Sequence, residues 1–312
     1  MIGLLGGNDS QINKLEPFLP EPMYVHINTE SFPESPDISI RSDGIEYEFL
    51  DEDIEVYYVD AYHSSVKRPF KEEDDTEIDV NRRYVFATAE KDSFLRSLLK
   101  IEQDLGKLVI NRPDIKDFHY LKPYQLFKLQ QAGVSIPDSV HTNSVAEVRE
   151  LFDQYDDLVY KPIGSLGRAD VHNLEEFENR KDTLAHAPVT FQEYCEGDNL
   201  RVYILDGEVI GCYRILTDTE VVDYRGFERG VEPVSVSDRL ARISIKTAQV
   251  LGMRFAGVDL IRSDDRIVIL ECNSGPHFAG VEAHLDTDEI SRALANFLRC
   301  HHEQHEGENT TT

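Results

Sequence analysis

Basic residues are scarce in this chain. Its 312 residues carry 32 Lys and Arg against 59 Asp and Glu, a formal net charge of −27. Such a surface repels phosphates before contact forms, which argues against a nucleic-acid duplex or an anionic membrane as partner while leaving local nucleotide binding open. Long hydrophobic runs are missing too, and none approaches a membrane span. The opening MIGLLGGNDSQINKLEPF is too short in apolar residues and too polar for a secretory signal, so the expected compartment is the cytoplasm. Cysteine is sparse and dispersed. Cys195, Cys212, Cys272 and Cys300 form no C-x-x-C pair, so neither a zinc site nor a disulfide framework is indicated, and the thiols are expected to be reduced and mostly buried.

What is present suffices for a sizeable core: 40% of residues are hydrophobic, with 15 Phe and 14 Tyr. The length suggests about two domains. At low salt the net charge destabilises a compact fold by self-repulsion, which concentrated salt screens over about 3 Å at 1 M. The composition favours a salt-loving source over an ordinary acidic cytosolic protein.

Residues 1–110 read as an α/β unit. Ile2 to Leu5 form a strand, Gly6-Gly7 turn, ISIRSDGIEYEF folds back at Asp43-Gly44, and EVYYVDAY is a further strand. Gly6-Gly7 lacks the G-x-G-x-x-G spacing of a dinucleotide loop and is read as a tight turn. KEEDDTEID (71–79) is read as a solvated loop. Leu95, Leu98, Leu99, Ile101 and Leu105 have helical spacing, with Gly106 as the stop. A new segment opens near residue 111: Pro123 suits a helix's first turn, Gly133 ends that helix and Pro137 prevents its resumption. Ser144 to Glu147 form a capping-box pattern. Strands then alternate with turns through LVYKPIG, VTFQEYC, LRVYILDGEVIGCYRI and FAGVDLIRSDDRIVILECN, with the helix SDRLARISIKTAQVLG before the last. A helix is expected around Ser291 to Leu298, and residues 301–312, with His301, His302 and His305, as a disordered tail.

Three segments carry candidate chemistry. Asp259 lies on one strand of the last hairpin, and Glu271 and Asn273 lie two apart on its partner, so the latter two project from one face. Two carboxylates and an amide suit Mg²⁺, which keeps few protein ligands and leaves room for phosphates. The plainer alternative, an exposed acidic strand face, fits poorly with the apolar neighbours of Glu271 in VILECN. In VYKPIGSLGRAD a strand ends at Lys161 and runs into Gly164, Ser165, Gly167 and Arg168, where backbone N–H groups can close on phosphate oxygens. This is not a Walker loop. In QEYCEGDNLRVYI, polar Gln192 and Glu193 end an apolar strand whose edge groups could pair with a purine, although a surface loop explains them equally. Tyr57, Tyr58 and Tyr62 could line an acceptor site, but their strand spacing favours packing.

The ordered set KPYQLFKLQQAGVSIP, VYKPIGSLGRADV, FQEYCEGDNLRVYILDGEVIG, GVDLI and ILECNSGPHFAGVE resembles the ATP-grasp ligases, specifically the RimK-type, glutathione-synthetase-like branch. NRPDIKDFHYLKP and VVDYRGFERG are similar, more weakly, to ATP-grasp maturases of ribosomal peptides. The resemblance implies an α+β / α/β chain with an ATP-grasp fold after a small α/β pre-ATP-grasp domain. Its divisions are expected at 1–110, 111–188 with the phosphate flap, 189–300 with the metal site, and the tail 301–312.

It further implies that Lys122 and Lys161 hold nucleotide phosphates and that Gly164 to Arg168 form a flap over them. Gln192, Glu193 and Tyr194 would sit at the adenine, Asp198 and Asn199 near the ribose, and Asp259, Glu271 and Asn273 on Mg²⁺ or Mn²⁺. Arg201, Arg214 and Arg225 would face the reacting carboxylate, with Asp223 and Arg229 flanking Arg225. Three positions depart from the family pattern: Asn199 where Asp is usual, Ala169 where the flap usually ends in Gly, and Pro276-His277 in place of Pro-Gly. The implied function is ATP-dependent carboxylate-amine ligation through an acyl phosphate, joining an amino acid to a small-molecule or peptide carboxylate. Two alternatives stand beside it: a peptide maturase forming ester or amide crosslinks, and an ATP-binding protein without turnover. The implied assembly is a homo-oligomer, dimer or tetramer.

Overall fold

The computed structural model describes residues 1–7, 11–50, 53–60, 76–164, 169–217 and 228–309, the last including backbone only at 228–229 and 305–309. The chain divides into two compact units, residues 1–113 with 277–279 and 288–312, and residues 114–276 with 280–287.

The first unit is built on a parallel sheet. β1 (Ile2–Gly6) pairs with β2 (Tyr24–Asn28), a separate hairpin joins β3 (Ile38–Arg41) to β4 (Gly44–Tyr47), and β5 (Val56–Val59) lies on the other side of β1. Helix α1 (Glu77–Asp104) leads to β6 (Leu108–Ile110), which pairs with β5. Leu95, Leu98 and Leu99 of α1 pack with Leu5, Ile27, Tyr57 and Val59. Tyr57 and Tyr58 are therefore core residues, and Tyr62 lies outside the described residues. The helix starts well before the apolar spacing begins. A capping box between Thr76 and Asp79 opens it, and its first turns put Ile78, Val85 and Phe86 on an outward face, 65–67% exposed, where they give no core-facing period.

On the buried side of α1, Glu102 is 4% exposed and accepts a hydrogen bond from Tyr47 Oη at 3.2 Å; Tyr47 in turn meets Tyr57. Burial raises the Glu102 carboxyl above its ordinary 4.5, with Lys107, 4.0 Å away, pulling against it. The folded state thus keeps a proton that the unfolded chain has lost. Stability from this group is fully present below the unfolded pKa and is lost as pH rises through the folded one. Glu102→Gln is expected to flatten that dependence, checked by urea midpoints from about pH 4 to about pH 8.

The second unit opens with a short α2 (Pro113–Lys116) and α3 (Lys122–Gln131), with Pro123 in the first turn of α3. β7 (Ser139–Thr142), α4 (Val145–Phe152), β8 (Asp157–Lys161), β9 (Asp170–Asn173), α5 (Leu174–Arg180) and β10 (Val189–Glu193) come next. The four strands form an antiparallel sheet in the order β7-β10-β8-β9, with Val148, Leu158, Phe177 and Phe191 in its core. Ser144 caps α4 by accepting from Glu147 N.

β11 (Asp198–Leu205) and β12 (Glu208–Thr217) meet at Asp206-Gly207, both at positive φ as a tight hairpin turn requires. β13 (Glu228–Pro233), α6 (Asp238–Val250), β14 (Phe255–Arg262) and β15 (Ile267–Asn273) complete an antiparallel sheet ordered β13-β12-β11-β14-β15. One face of it packs on α3 and α6 through Leu200, Val202, Ile204, Val258, Leu260, Ile269 and Cys272 against Leu129, Leu240 and Ala248.

After α7 (Ala279–Leu285), α8 (Glu289–Asn309) returns to the first unit. This corrects the expected tail: the helix continues to Asn309, because Ile290, Leu294, Leu298 and His302 fall four residues apart on one buried face. His302 takes an apolar residue's place there, which hid the period from the sequence; the His305 side chain lies outside the described residues. The thiols are free, with Cys212 and Cys272 buried and Cys300 exposed.

Candidate active site

The sheet face opposite the α3–α6 core carries the acidic residues, and an irregularity in β15 puts them there. Ile267 and Ile269 point into the core, so regular alternation would send Glu271 the same way. Instead Leu260 pairs with Ile269 and Asp259 with Glu271, leaving Leu270 as an inserted residue. This bulge shifts the phase. Cys272 takes the core position, while Glu271 and Asn273 join Asp259 on the other face. Asn273 Nδ2 donates to Asp259 Oδ2 at 2.9 Å and to Glu271 Oε1 at 3.2 Å. Opposite Asn273, Gly257 has no room for a side chain, since a Cβ there would lie 2.5 Å from Pro276 Cβ.

Cations surround this cluster. Arg201, facing Asp259 across β11 and β14, donates from Nε and Nη2 to both its carboxylate oxygens at 2.7 and 2.8 Å. Lys122 Nζ lies 3.0 Å from Glu271 Oε2. Lys161 Nζ donates to Gln192 Oε1 at 2.5 Å, and Gln192 Nε2 donates to Ser139 Oγ at 3.1 Å. Burial raises the Asp259 carboxyl in spite of the Arg201 fork. Burial acts the same way on Glu271, but Lys122, Lys161 and the Asn273 amide together overcome it and hold that carboxyl below its ordinary value. Burial also lowers Lys161 from its ordinary value, against the pull of Glu271.

The other expected residues divide. Glu193, 5% exposed at the end of β10, accepts from Arg266 Nη2 at 2.8 Å, with Cys195 Sγ 3.3 Å from the same oxygen. Tyr194 follows it, half-buried, and Gly164 is exposed. Ser165, Gly167, Arg168, Asp223 and Arg225 lie outside the described residues, as does the Arg229 side chain.

Arg214 requires a correction. Directly opposed residues of antiparallel strands share a face, and Arg214 opposes Leu200 of the core face rather than Arg201. It donates there to Glu232 and to Asp198 Oδ1, the latter at 3.0 Å. Asp198 is likewise turned away from Asp259: Arg262 reaches it at 2.7 Å and, with Arg214, holds its carboxyl below the ordinary value. Its neighbour Asn199 shares the face of Arg201. Asn199 Oδ1 is buried with no hydrogen-bond partner among the described residues, a costly state that a hydroxyl donor relieves.

The donor set fits a hard divalent cation. Two carboxylates and an amide supply oxygen only, few enough to leave positions for phosphates. Among the described residues no cluster of three His, Cys, Asp or Glu side chains offers a denser alternative. Sequence reasoning missed Gln125 and Arg266. Gln125 is one helical turn from Lys122, but its partners are backbone atoms, which the sequence does not mark.

The RimK-like ATP-grasp domain family matches residues 123–298, more than half of the chain. The chain belongs to this family. A probable alpha-L-glutamate ligase of Shewanella halifaxensis is 26% identical over 201 residues, 60% of this chain and 43% of that protein. The tetrahydromethanopterin:alpha-L-glutamate ligase of Methanocaldococcus jannaschii is 27% identical over 205 residues, 61% of this chain and 70% of that protein. The chain thus spans less than half the length of the first relative. Among solved structures, the ATP-grasp ligase PsnB complexed with a phosphomimetic variant of its minimal precursor, Mg and ADP superposes with a TM-score of 0.81 at 27% identity, covering 96% of this chain and 98% of that one. As an ATP-grasp family member the chain has the expected mixed α+β architecture, and no helix among the described residues is long and apolar enough to cross a membrane.

Proposed function

We propose that this chain is an ATP-dependent ligase joining an amine to a carboxylate through an acyl phosphate. The convergence of Asp259, Glu271 and Asn273 beside Lys122 and Arg201 carries the reading. A carboxylate oxygen of the acceptor attacks the γ-phosphorus of ATP, ADP leaves, and the amine then displaces phosphate from the acyl carbon. Asp259, Glu271 and Asn273 would hold Mg²⁺, which when bound supplies charge neutralisation at the phosphates. Lys122 and Lys161 bring positive charge to the phosphate end without a proton transfer. Arg201 offers a planar fork to carboxylate or phosphate and stays charged at any working pH. Asn199, with its partnerless oxygen, is the residue suited to a ribose hydroxyl, and Glu193 and Gln192 lie at the strand end assigned to the adenine.

A screen of amino acids and acceptor carboxylates for ADP formation in molar KCl, with mass spectrometry of the product, tests this. Nucleotide binding with no substrate-dependent ADP would instead favour a protein without turnover. A peptide maturase is the second reading, favoured by the likeness to PsnB over almost the whole of both chains; an acidic precursor peptide losing one water per crosslink would identify it.

We further propose self-association through α1. Ile78, Val85 and Phe86 form an exposed apolar stripe, and in an antiparallel pair centred on Phe86 the exposed Arg82 of one copy meets Glu90 of the other. Sedimentation of Arg82→Glu, Glu90→Arg and the double exchange is the check: each single change should weaken the dimer and the double should restore it.

A further inference from the structure

Helix α3 meets two consecutive residues of β15. Lys122 ion-pairs with Glu271, and one turn on, Gln125 meets the backbone of Cys272. Gln125 Nε2 donates to Cys272 O at 2.9 Å, and Gln125 Oε1 accepts from Cys272 N at 2.7 Å. The side chain is 2% exposed. Among the described residues β15 is an edge strand, so the outward N–H and C=O of Cys272 have no neighbouring strand there to pair with. The glutamine amide, with one donor and one acceptor side by side, serves as a one-residue substitute for that strand. The place matters. Cys272 lies between Glu271 and Asn273 and two residues beyond the inserted Leu270, where the ladder to β14 is interrupted.

We infer that Gln125 is a positioning residue for the proposed magnesium ligands: its two hydrogen bonds to Cys272 fix where Glu271 and Asn273 present their oxygens and tie that placement to Lys122 on the same helix. The inference rests on the ligase reading for the identity of the ion. Its structural core is independent of that reading, because a leucine at 125 would fill the space yet leave two buried backbone groups without partners. Outer groups that orient ligands commonly change metal affinity without touching the metal.

The test compares the full-length wild-type chain with Gln125→Leu, and with Gln130→Leu on the exposed side of the same helix. ADP affinity is measured calorimetrically with and without MgCl₂, and backbone hydrogen exchange is followed along β15 and α6. Gln125→Leu is expected to keep metal-free ADP affinity within about twofold while losing about tenfold or more of the magnesium-dependent gain. Its β15 amides should exchange faster, with α6 unchanged, and Gln130→Leu should match wild type in all respects. Should the leucine chain not fold, Gln125→Glu, which still accepts from Cys272 N but sets an oxygen against Cys272 O, gives the same readout. A substituted, folded chain with the full magnesium gain overturns the inference. So does an equal loss of ADP affinity with and without magnesium, which marks a purely structural role. A wild-type chain that gains nothing from magnesium removes the ligase reading as well, so the two failures are told apart.

Discussion

Glu271→Gln is expected to abolish magnesium-dependent ADP formation while the chain stays folded. The substitution keeps the shape of the side chain and removes its charge, leaving Lys122 and Lys161 facing a neutral amide and the ion site with a single carboxylate. Loss of one well-placed electrostatic group costs roughly 10²–10³ in turnover in comparable sites. The effect on stability is expected to be small, because the Glu271 side chain is 30% exposed and its partner Lys122 is 26% exposed. An ion pair in that setting contributes about 1 kcal/mol or less. Turnover assays beside thermal melts decide the matter: a folded Glu271→Gln chain that forms ADP at the wild-type rate would remove Glu271 from the reaction.

Arg201→Met is expected to have the opposite profile, with its largest effect on stability. Asp259 is 4% exposed, and both of its oxygens are held by the Arg201 fork. Removing one partner of a buried pair leaves an uncompensated charge and typically costs about 3–5 kcal/mol. Urea denaturation measures this directly. Because a divalent cation at Asp259 would replace the missing positive charge, Mg²⁺ with ADP should restore part of the loss in Arg201→Met, beyond the stabilisation it gives wild type. Equal ligand stabilisation of the two chains would mean that the ion does not touch Asp259.

Much of this site is legible in the sequence, for reasons that differ residue by residue. The Asp206-Gly207 turn, the strands flanking it and the last hairpin can be read there because alternation and turn chemistry are local signals. Asp259, Glu271 and Asn273 come together as their spacing suggests. The side of the sheet that Arg214 occupies is not legible, because it depends on which residue of β11 it faces. A shift of one position would move it to the Arg201 face. Gln125 escaped for a different reason: it binds backbone, and a backbone partner leaves no residue type to recognise. The early start of α1 and the continuation of α8 were hidden by positions where polar or outward-facing residues replace the expected apolar ones.

The bulge makes Leu270 the one residue of β15 that the facing of the strand does not need. Two isoleucines before it and a cysteine after it anchor the same hydrophobic layer, although Ile269 and the cysteine are an odd number of positions apart and strict alternation would send them to opposite sides. Removing Leu270 itself would restore strict alternation, with Ile269 and the cysteine still inward and the oxygens of Glu271 and Asn273 still outward. The strand can therefore lose this one residue without turning over, and what would go with it is the extra local twist beside Glu271.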